Sequence, residues 1–415
     1  MISGTLKPYQ AKLSQTADAL AIALAASLPW STSATGILVG LWLLAFLPTI
    51  DLAGLRRTLS IPAAAVAIIL VVLAALGMLW SEASWAPAFQ SFTQFLKLLL
   101  IPLFFVHFRQ SERGLWVFGA FLISCALLLI ASLILVAWPR PFGWPLNTHG
   151  IPVKDRIVQS GEFVLCAFGA LYLALEFVRA GRRWAAMGLA ALSGAFFANV
   201  LYIAASRTSL VVIPVLLIFF GLRRFGWKGA FALIATGAVL AAAIWISSPH
   251  LRERISDISK EVQAYDTGRE ATSAGLRIDY WTKAVGFIKD APVIGHGTGT
   301  IRQLFERATA GAREWQTANP HNQTLAVGIQ LGMIGIVALW ALWLSHFLLF
   351  RGEAGLIAWI GEIVVVQNIV SSLFNSHLFD FTQGWIYVIG VGVAGGMILR
   401  RRAAAESGVD SQRPL

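Results

Sequence analysis

Three side chains in the second half of the sequence could together do phosphate and acid–base chemistry. His321 stands between amides in residues 318–325, "ANPHNQTL"; Arg207 lies in "AASRTSLVV"; Arg277 lies in "GLRIDYWTKA". An imidazole can take a proton near neutral pH, as a general base must. Guanidinium groups present a rigid fork of donors that fits phosphate oxygens. Asn319 suits a helix N-cap and Pro320 the first helical position, which predicts His321 in the first turn of a helix. There the backbone N–H groups and the positive end of the dipole would keep the ring neutral. Tyr280 and Trp281 follow Arg277 at i+3 and i+4, and Asn322 flanks the histidine. Lys154, Arg156 and Asp380 join Tyr280, Asn322 and the two arginines as candidate substrate contacts, with His377 beside them in "FNSHLFDF". No HExxH, Cys cluster or Asp-x-Asp pair is present, so the sequence predicts no metal ligands and no cofactor.

Each reading has a plainer rival. Arg207 could be an anchor reaching for headgroups, Arg277 a surface arginine above an interfacial aromatic, and His321 part of a polar turn. The alternating Gly295, Gly297 and Gly299 of "VIGHGTGT" follow no strand, so they predict a tight turn rather than a dinucleotide site, with His296 incidental.

The elements that must hold these residues follow from composition. Of 415 residues, 57% are hydrophobic and 13% charged, against roughly 25% charged in soluble domains. Mean hydropathy is +0.71. The charges cluster between continuous apolar runs, which predicts an all-α polytopic membrane protein and excludes a barrel. About twelve spans are expected, near 16–30, 35–50, 61–80, 91–107, 114–138, 157–178, 184–204, 208–222, 229–248, 322–349, 354–374 and 382–399. The first two could instead form one re-entrant hairpin. Lys7 and Lys12 precede an apolar stretch that further spans follow, so it reads as a first span and not a cleaved signal.

With the N-terminus inside, the basic residues at 56–57, 109–113, 179–183, 223–228, 351 and 400–402 all fall in cytoplasmic loops. The net charge of +11 is therefore a topology signal, and no nucleic-acid partner is needed. Three regions result: an N-terminal bundle over 1–248, a long outer loop over 249–321, and three C-terminal spans with a basic tail over 322–415. In the loop, Ile278, Trp281, Val285 and Ile288 recur at helical spacing and predict an amphipathic helix lying on the membrane or capping the bundle. Cys125 and Cys166 lie in apolar runs, which argues against a disulfide framework.

The order "SRTSL", "GLRIDYW" with "PVIGHGTG", then "PHNQTL" at the end of a long outer loop resembles the O-antigen ligase/polymerase family. The resemblance covers most of the chain by topology, and its specific motifs lie in about 205–330. It implies that Arg207, Arg277 and His321 are the functional residues. It also implies a bacterial inner-membrane glycosyltransferase working at the periplasmic face. Its donor would be O-antigen on undecaprenyl diphosphate and its acceptor a lipid A–core sugar. The arginines would neutralise the departing diphosphate without a divalent metal, and one in-line displacement would invert the anomeric centre. An O-antigen polymerase and a protein O-oligosaccharyltransferase share the motifs. A single dominant outer loop favours the ligase, and the short C-terminal tail disfavours the oligosaccharyltransferase. A transporter is the rival from another class, with Lys97, Glu162, Glu176 and Glu362 in or near spans.

Overall fold

The computed structural model describes residues 3–138, 150–247, 252, 273–309, 317 and 319–406. Much of the predicted outer loop, at 249–251, 253–272, 310–316 and 318, lies outside the described residues. All the described elements are helical, as the continuous apolar runs require: in lipid, only internally bonded backbone is stable. In chain order they are α1 (Ser3–Ser27), α2 (Thr32–Phe46), α3 (Leu52–Leu59), α4 (Pro62–Leu76), α5 (Trp85–Leu96), α6 (Leu100–Gln110), α7 (Gly114–Ala137) and α8 (Arg156–Arg179). Then come α9 (Arg183–Tyr202), α10 (Arg207–Ser247), α11 (Ser273–Asp290), α12 (Ile301–Ala308), α13 (Gln323–Phe350), α14 (Leu356–Ser371) and α15 (Phe381–Glu406).

Each of the twelve expected runs falls on a helix, yet fewer pass as full spans. Among the described residues, eight helices are long and apolar enough to cross a membrane. The number is nine if α3 and α4, bent by 85° at their junction, count as one span. Two expected spans, 208–222 and 229–248, are the two arms of α10, which folds back at Gly226 (φ +69°), so that a Cβ on Gly221 would lie 2.6 Å from Ala230 Cα and one on Gly237 3.0 Å from Leu217 Cδ2. α1 and the 16-residue α14 are helical but outside the eight. The first two runs are separate helices packed against each other, and Ser31 caps α2 by accepting from Ala34 N at 3.1 Å.

α15 is the axis of the bundle, with every residue from Thr382 to Leu399 buried. Its small residues let α6 approach: a Cβ on Gly392 would lie 2.6 Å from Phe104 Cβ, and one on Gly396 2.7 Å from Phe108 Cβ. Close backbone approach of this kind is how membrane helices gain packing energy. Three of the ionisable residues in the spans are answered locally, while the carboxylate of buried Glu162 has no hydrogen-bond partner and its nearest charge is Lys154 at 4.0 Å. Glu362 meets Arg223 Nε at 3.0 Å, Glu176 pairs with Arg224, and Lys97 Nζ donates to Phe379 O at 3.0 Å and Asp380 O at 2.9 Å. These pairs fix helices to one another, which is an ordinary structural use of charge in a bundle.

α11 is helical as expected, but its buried face is rotated from the predicted one. Tyr280 and Ala284 are buried against Phe305 of α12 and Ala326 and Ile329 of α13, while Ile278 and Val285 are 46% and 42% exposed. The i, i+4 row of Leu276, Tyr280 and Ala284 won because α13 lies beneath it.

α13 is broken. Gly332 has φ +61° and ψ −156°, a region open essentially to glycine alone. The break frees backbone groups inside the membrane, and the glycine-rich segment after α11 satisfies them. His296 N and Gly297 N donate to Ile329 O and Gln330 O, each at 2.9 Å. In return Met333 N donates to Pro292 O at 2.8 Å and Ile334 N to Val293 O at 3.2 Å. Gly297 is wedged as closely against the α4–α5 connection and Gly299 against the first turn of α5: a Cβ on Gly297 would sit 2.3 Å from Ser81 Cα and one on Gly299 2.6 Å from Ala88 Cα. His296 is not incidental, since its Nδ1 faces Glu82 Oε1 and its Nε2 faces Phe287 O, both at 2.9 Å. Arg307 Nη1 also donates to Glu82 at 2.8 Å, and these two partners hold that carboxylate below its usual range. A Cβ on residue 332 would meet Val293 C and O at 2.4 Å. Gly332→Ala is therefore expected to cost at least about 1–3 kcal/mol from the backbone alone. A lowered thermal midpoint of the detergent-solubilised protein checks it.

Candidate active site

The N-terminal ends of α10, α11 and α13 and the α14–α15 connection converge on His321. The helix start differs from the expected one: Asn322, not Asn319, is the N-cap of α13, accepting from Leu325 N at 3.1 Å. His321 thus precedes the helix, and its φ of +52° is the only positive value for a non-glycine among the described residues. Two contacts hold this left-handed turn. Asn319 Oδ1 accepts from His321 N at 2.9 Å and from Ser376 Oγ at 2.6 Å. Trp281 Nε1 donates to Pro320 O at 3.0 Å, tying the turn to α11. The left-handed conformation costs about 1–3 kcal/mol, which these tertiary bonds must offset.

The imidazole is half-buried. Tyr280 lies nearly parallel to it, 23° off, with ring centroids 6.3 Å apart. Its Nδ1 is 3.2 Å from Asn375 Oδ1. Burial pushes the His321 pKa below the ordinary histidine value, the Asn375 contact raises it part-way, and the positive charge of Arg277 lowers it further. The ring is therefore neutral at neutral pH, the state first argued from a helix dipole but produced here by desolvation and a neighbouring guanidinium. Arg277 also depresses His377, which burial chiefly pushes down to about 4. Its charge thus acts on both histidines of this face.

Arg207 is half-buried at the first position of α10. Its neighbour Thr208 accepts from Asn375 Nδ2 at 3.4 Å, which joins the arginine's helix end to the histidine through one amide. Ser206 on the other side of Arg207 meets Ser160 of α8 at 2.8 Å. A small cleft of about 10 Å³, room for about one water, lies at this junction, lined by Ser160, Ser206, Thr208, Ser209, His377 and Gln383 among others. His377 Nδ1 has no hydrogen-bond partner there.

The remaining expected residues are placed less centrally. Lys154 donates to Leu28 O and to Thr382 Oγ1, the latter at 2.9 Å, and stands 4.0 Å from Glu162. Burial lowers its pKa and Glu162 restores part of it. Arg156 is exposed at the start of α8, which Asp155 caps. Asp380 Oδ2 is 3.8 Å from His377 Nε2, and burial pushes the carboxyl up to about 6. Asn322 is occupied as a cap, and its Nδ2 donates to Leu373 O at 3.2 Å. The structure thus gathers His321, Arg277, Tyr280, Asn322 and the Arg207 end of α10. Lys154 sits on the α1–α15 side of the bundle. Asn375 and Ser376 were missed, although they belong to a polar run without Lys or Arg between two spans, on the same face as "PHN". Among the described residues, no group of three or more His, Cys, Asp or Glu is arranged to hold a metal ion.

Comparison with known proteins meets the site here. A stretch of 145 residues is 25% identical to an uncharacterized protein of Haemophilus influenzae, covering 33% of this chain. The match takes in 36% of that relative, so the chain spans about a third of its length. The family model described as O-antigen ligase matches residues 192–340. That segment runs from α9 into α13 and contains Arg207, Arg277 and His321. In this multi-pass membrane protein, Arg207, Arg277 and His321 therefore all fall within a segment that is similar to the O-antigen ligase family.

Proposed function

We propose that the protein is a glycosyltransferase of the bacterial inner membrane, moving O-antigen polysaccharide from undecaprenyl diphosphate to a lipid A–core sugar at the periplasmic face. The observation that carries this reading is a neutral histidine held within reach of an arginine's field, beside a second arginine at a helix start. A sugar diphosphate needs counter-charge as it departs, and the acceptor hydroxyl needs a base; the cluster supplies both.

In the reaction, the acceptor hydroxyl attacks the anomeric carbon from the face opposite the diphosphate. Its proton passes to His321 as the carbon–oxygen bond forms. The bond from the anomeric carbon to the phosphate oxygen breaks, and undecaprenyl diphosphate leaves as an anion paired with Arg207 and Arg277. One displacement inverts the configuration. Tyr280, buried and nearly parallel to the imidazole with centroids 6.3 Å apart, backs the ring from the α11 side. The distribution of basic loops supports an orientation with the cluster on the face away from the cytoplasm.

Deleting the gene and resolving lipopolysaccharide on a gel tests the assignment. Core-only lipopolysaccharide with accumulated long polyprenyl-linked chains is the expected result. A core bearing one repeat unit would make the protein a polymerase, and unchanged lipopolysaccharide would remove both readings.

A further inference from the structure

We propose that Asn375 is a positioning residue that fixes the tautomer of His321, making Nε2 the atom that receives the acceptor's proton. The inference rests on His321 acting as the base. The Asn375 Oδ1 to His321 Nδ1 contact is 3.2 Å, and an amide oxygen has no hydrogen to give. Nδ1 must therefore carry the proton. A neutral imidazole has only one N–H, so Nε2 keeps its lone pair. At the other end of the amide, Nδ2 donates to Thr208 Oγ1 at 3.4 Å, a hydroxyl that accepts in this orientation and could donate in the reverse one.

The setting is rigid enough for this to matter. Asn375 is 6% exposed, and its N donates to Ser371 O at 3.2 Å, so the side chain has little room to turn. The next residue, Ser376, reaches Asn319 Oδ1, which in turn holds His321 N. One connection, residues 372–380, therefore grips both the ring and the backbone of the histidine. Without the amide, a neutral histidine can carry its hydrogen on Nε2, which would turn a base into a donor at the reacting atom. The same bond favours the charged ring, while the Arg277 charge and burial oppose it. The amide thereby offsets part of what the arginine would otherwise take from the histidine's basicity.

The reverse amide orientation makes the opposite forecast, a hydrogen on Nε2, so the tautomer decides the matter. The test uses the full chain in nanodiscs with ¹⁵N-labelled histidine, the His321 signals being assigned by their loss in His321→Gln. Wild type is expected to show protonated Nδ1 and unprotonated Nε2. Asn375→Ala should populate the other tautomer, lower turnover by roughly 10²-fold, leave donor binding unchanged, and move the acid limb of the pH–rate profile down. Asn375→Asp keeps an acceptor in the same shape. It should keep the tautomer and move that limb up, because a carboxylate stabilises the imidazolium. A wild-type Nε2–H signal, or an Asn375→Ala protein with unchanged tautomer and pH limb, overturns the proposal. A changed tautomer with unaltered turnover would instead overturn His321 as the base while leaving the tautomer assignment intact.

Discussion

Replacing His321 with alanine is expected to abolish transfer while leaving lipid-linked donor bound. Loss of a general base typically costs 10²–10⁴-fold, and in the proposed mechanism the diphosphate is held by Arg207 and Arg277. The variant should insert and purify normally. The turn around residue 321 is held by Asn319, Trp281 and Ser376, none of which bonds the imidazole, and alanine must adopt the same left-handed φ against the same three partners. His321→Gln sharpens the test, since an amide can keep a hydrogen bond but cannot accept the proton. The wild-type pH profile should also carry the mark of the site. A base works only when deprotonated, so activity should be lost as pH falls through a value below the ordinary 6.5 of histidine. Turnover by His321→Gln near the wild-type rate would make the residue a positioning group and leave Asp380 as the next base to try.

Arg277→Ala should be nearly as damaging, by about 10²–10³-fold in kcat/KM if it supplies a donor to the departing diphosphate. Arg277→Lys should recover only part of that loss, because a point charge cannot form the fork. The two variants separate in a second readout. Alanine removes the positive charge that lowers His321, so the acid limb should rise; lysine keeps the charge, so the limb should stay. If arginines supply the counter-charge, transfer should also persist in excess EDTA. Wild-type kinetics in Arg277→Lys would reduce the residue to simple attraction, and a strict divalent requirement would remove the counter-charge argument.

The helices were legible because lipid leaves the backbone few choices, and every expected run proved helical. Their boundaries were not, and α13 shows why. Asn319–Pro320 and Asn322 are both good local starts. The second prevails because Gln323 N finds Ser372 O at 2.9 Å and Trp281 takes the carbonyl of Pro320. Local propensity cannot see partners some 40 and 50 residues away. The break at Gly332 was hidden for the same reason, since one glycine in an apolar run reads as helix unless the segment that repairs it is known. The chemistry-bearing types, His321, Arg207 and Arg277, stood out because charge and imidazole are costly at a membrane lip. Asn375 did not, because a neutral amide carries no such signal. His296 was misread because Glu82, its counter-charge, is 214 positions earlier.

The backbone exchange between residues 292–297 and 329–334 has a consequence for assembly. The four hydrogen bonds across the break in α13 join a water-side segment to the interior of a membrane helix. Neither half can be finished first: an undocked α13 would leave carbonyls bare in lipid, and an undocked segment would lack the partners that define its path. The two should therefore protect their amides from hydrogen exchange together, opening and closing as a single cooperative unit. Residues 323–331 lead from that unit straight back to His321. The geometry of the proposed base is consequently tied to the packing of this unit, some ten residues away along α13.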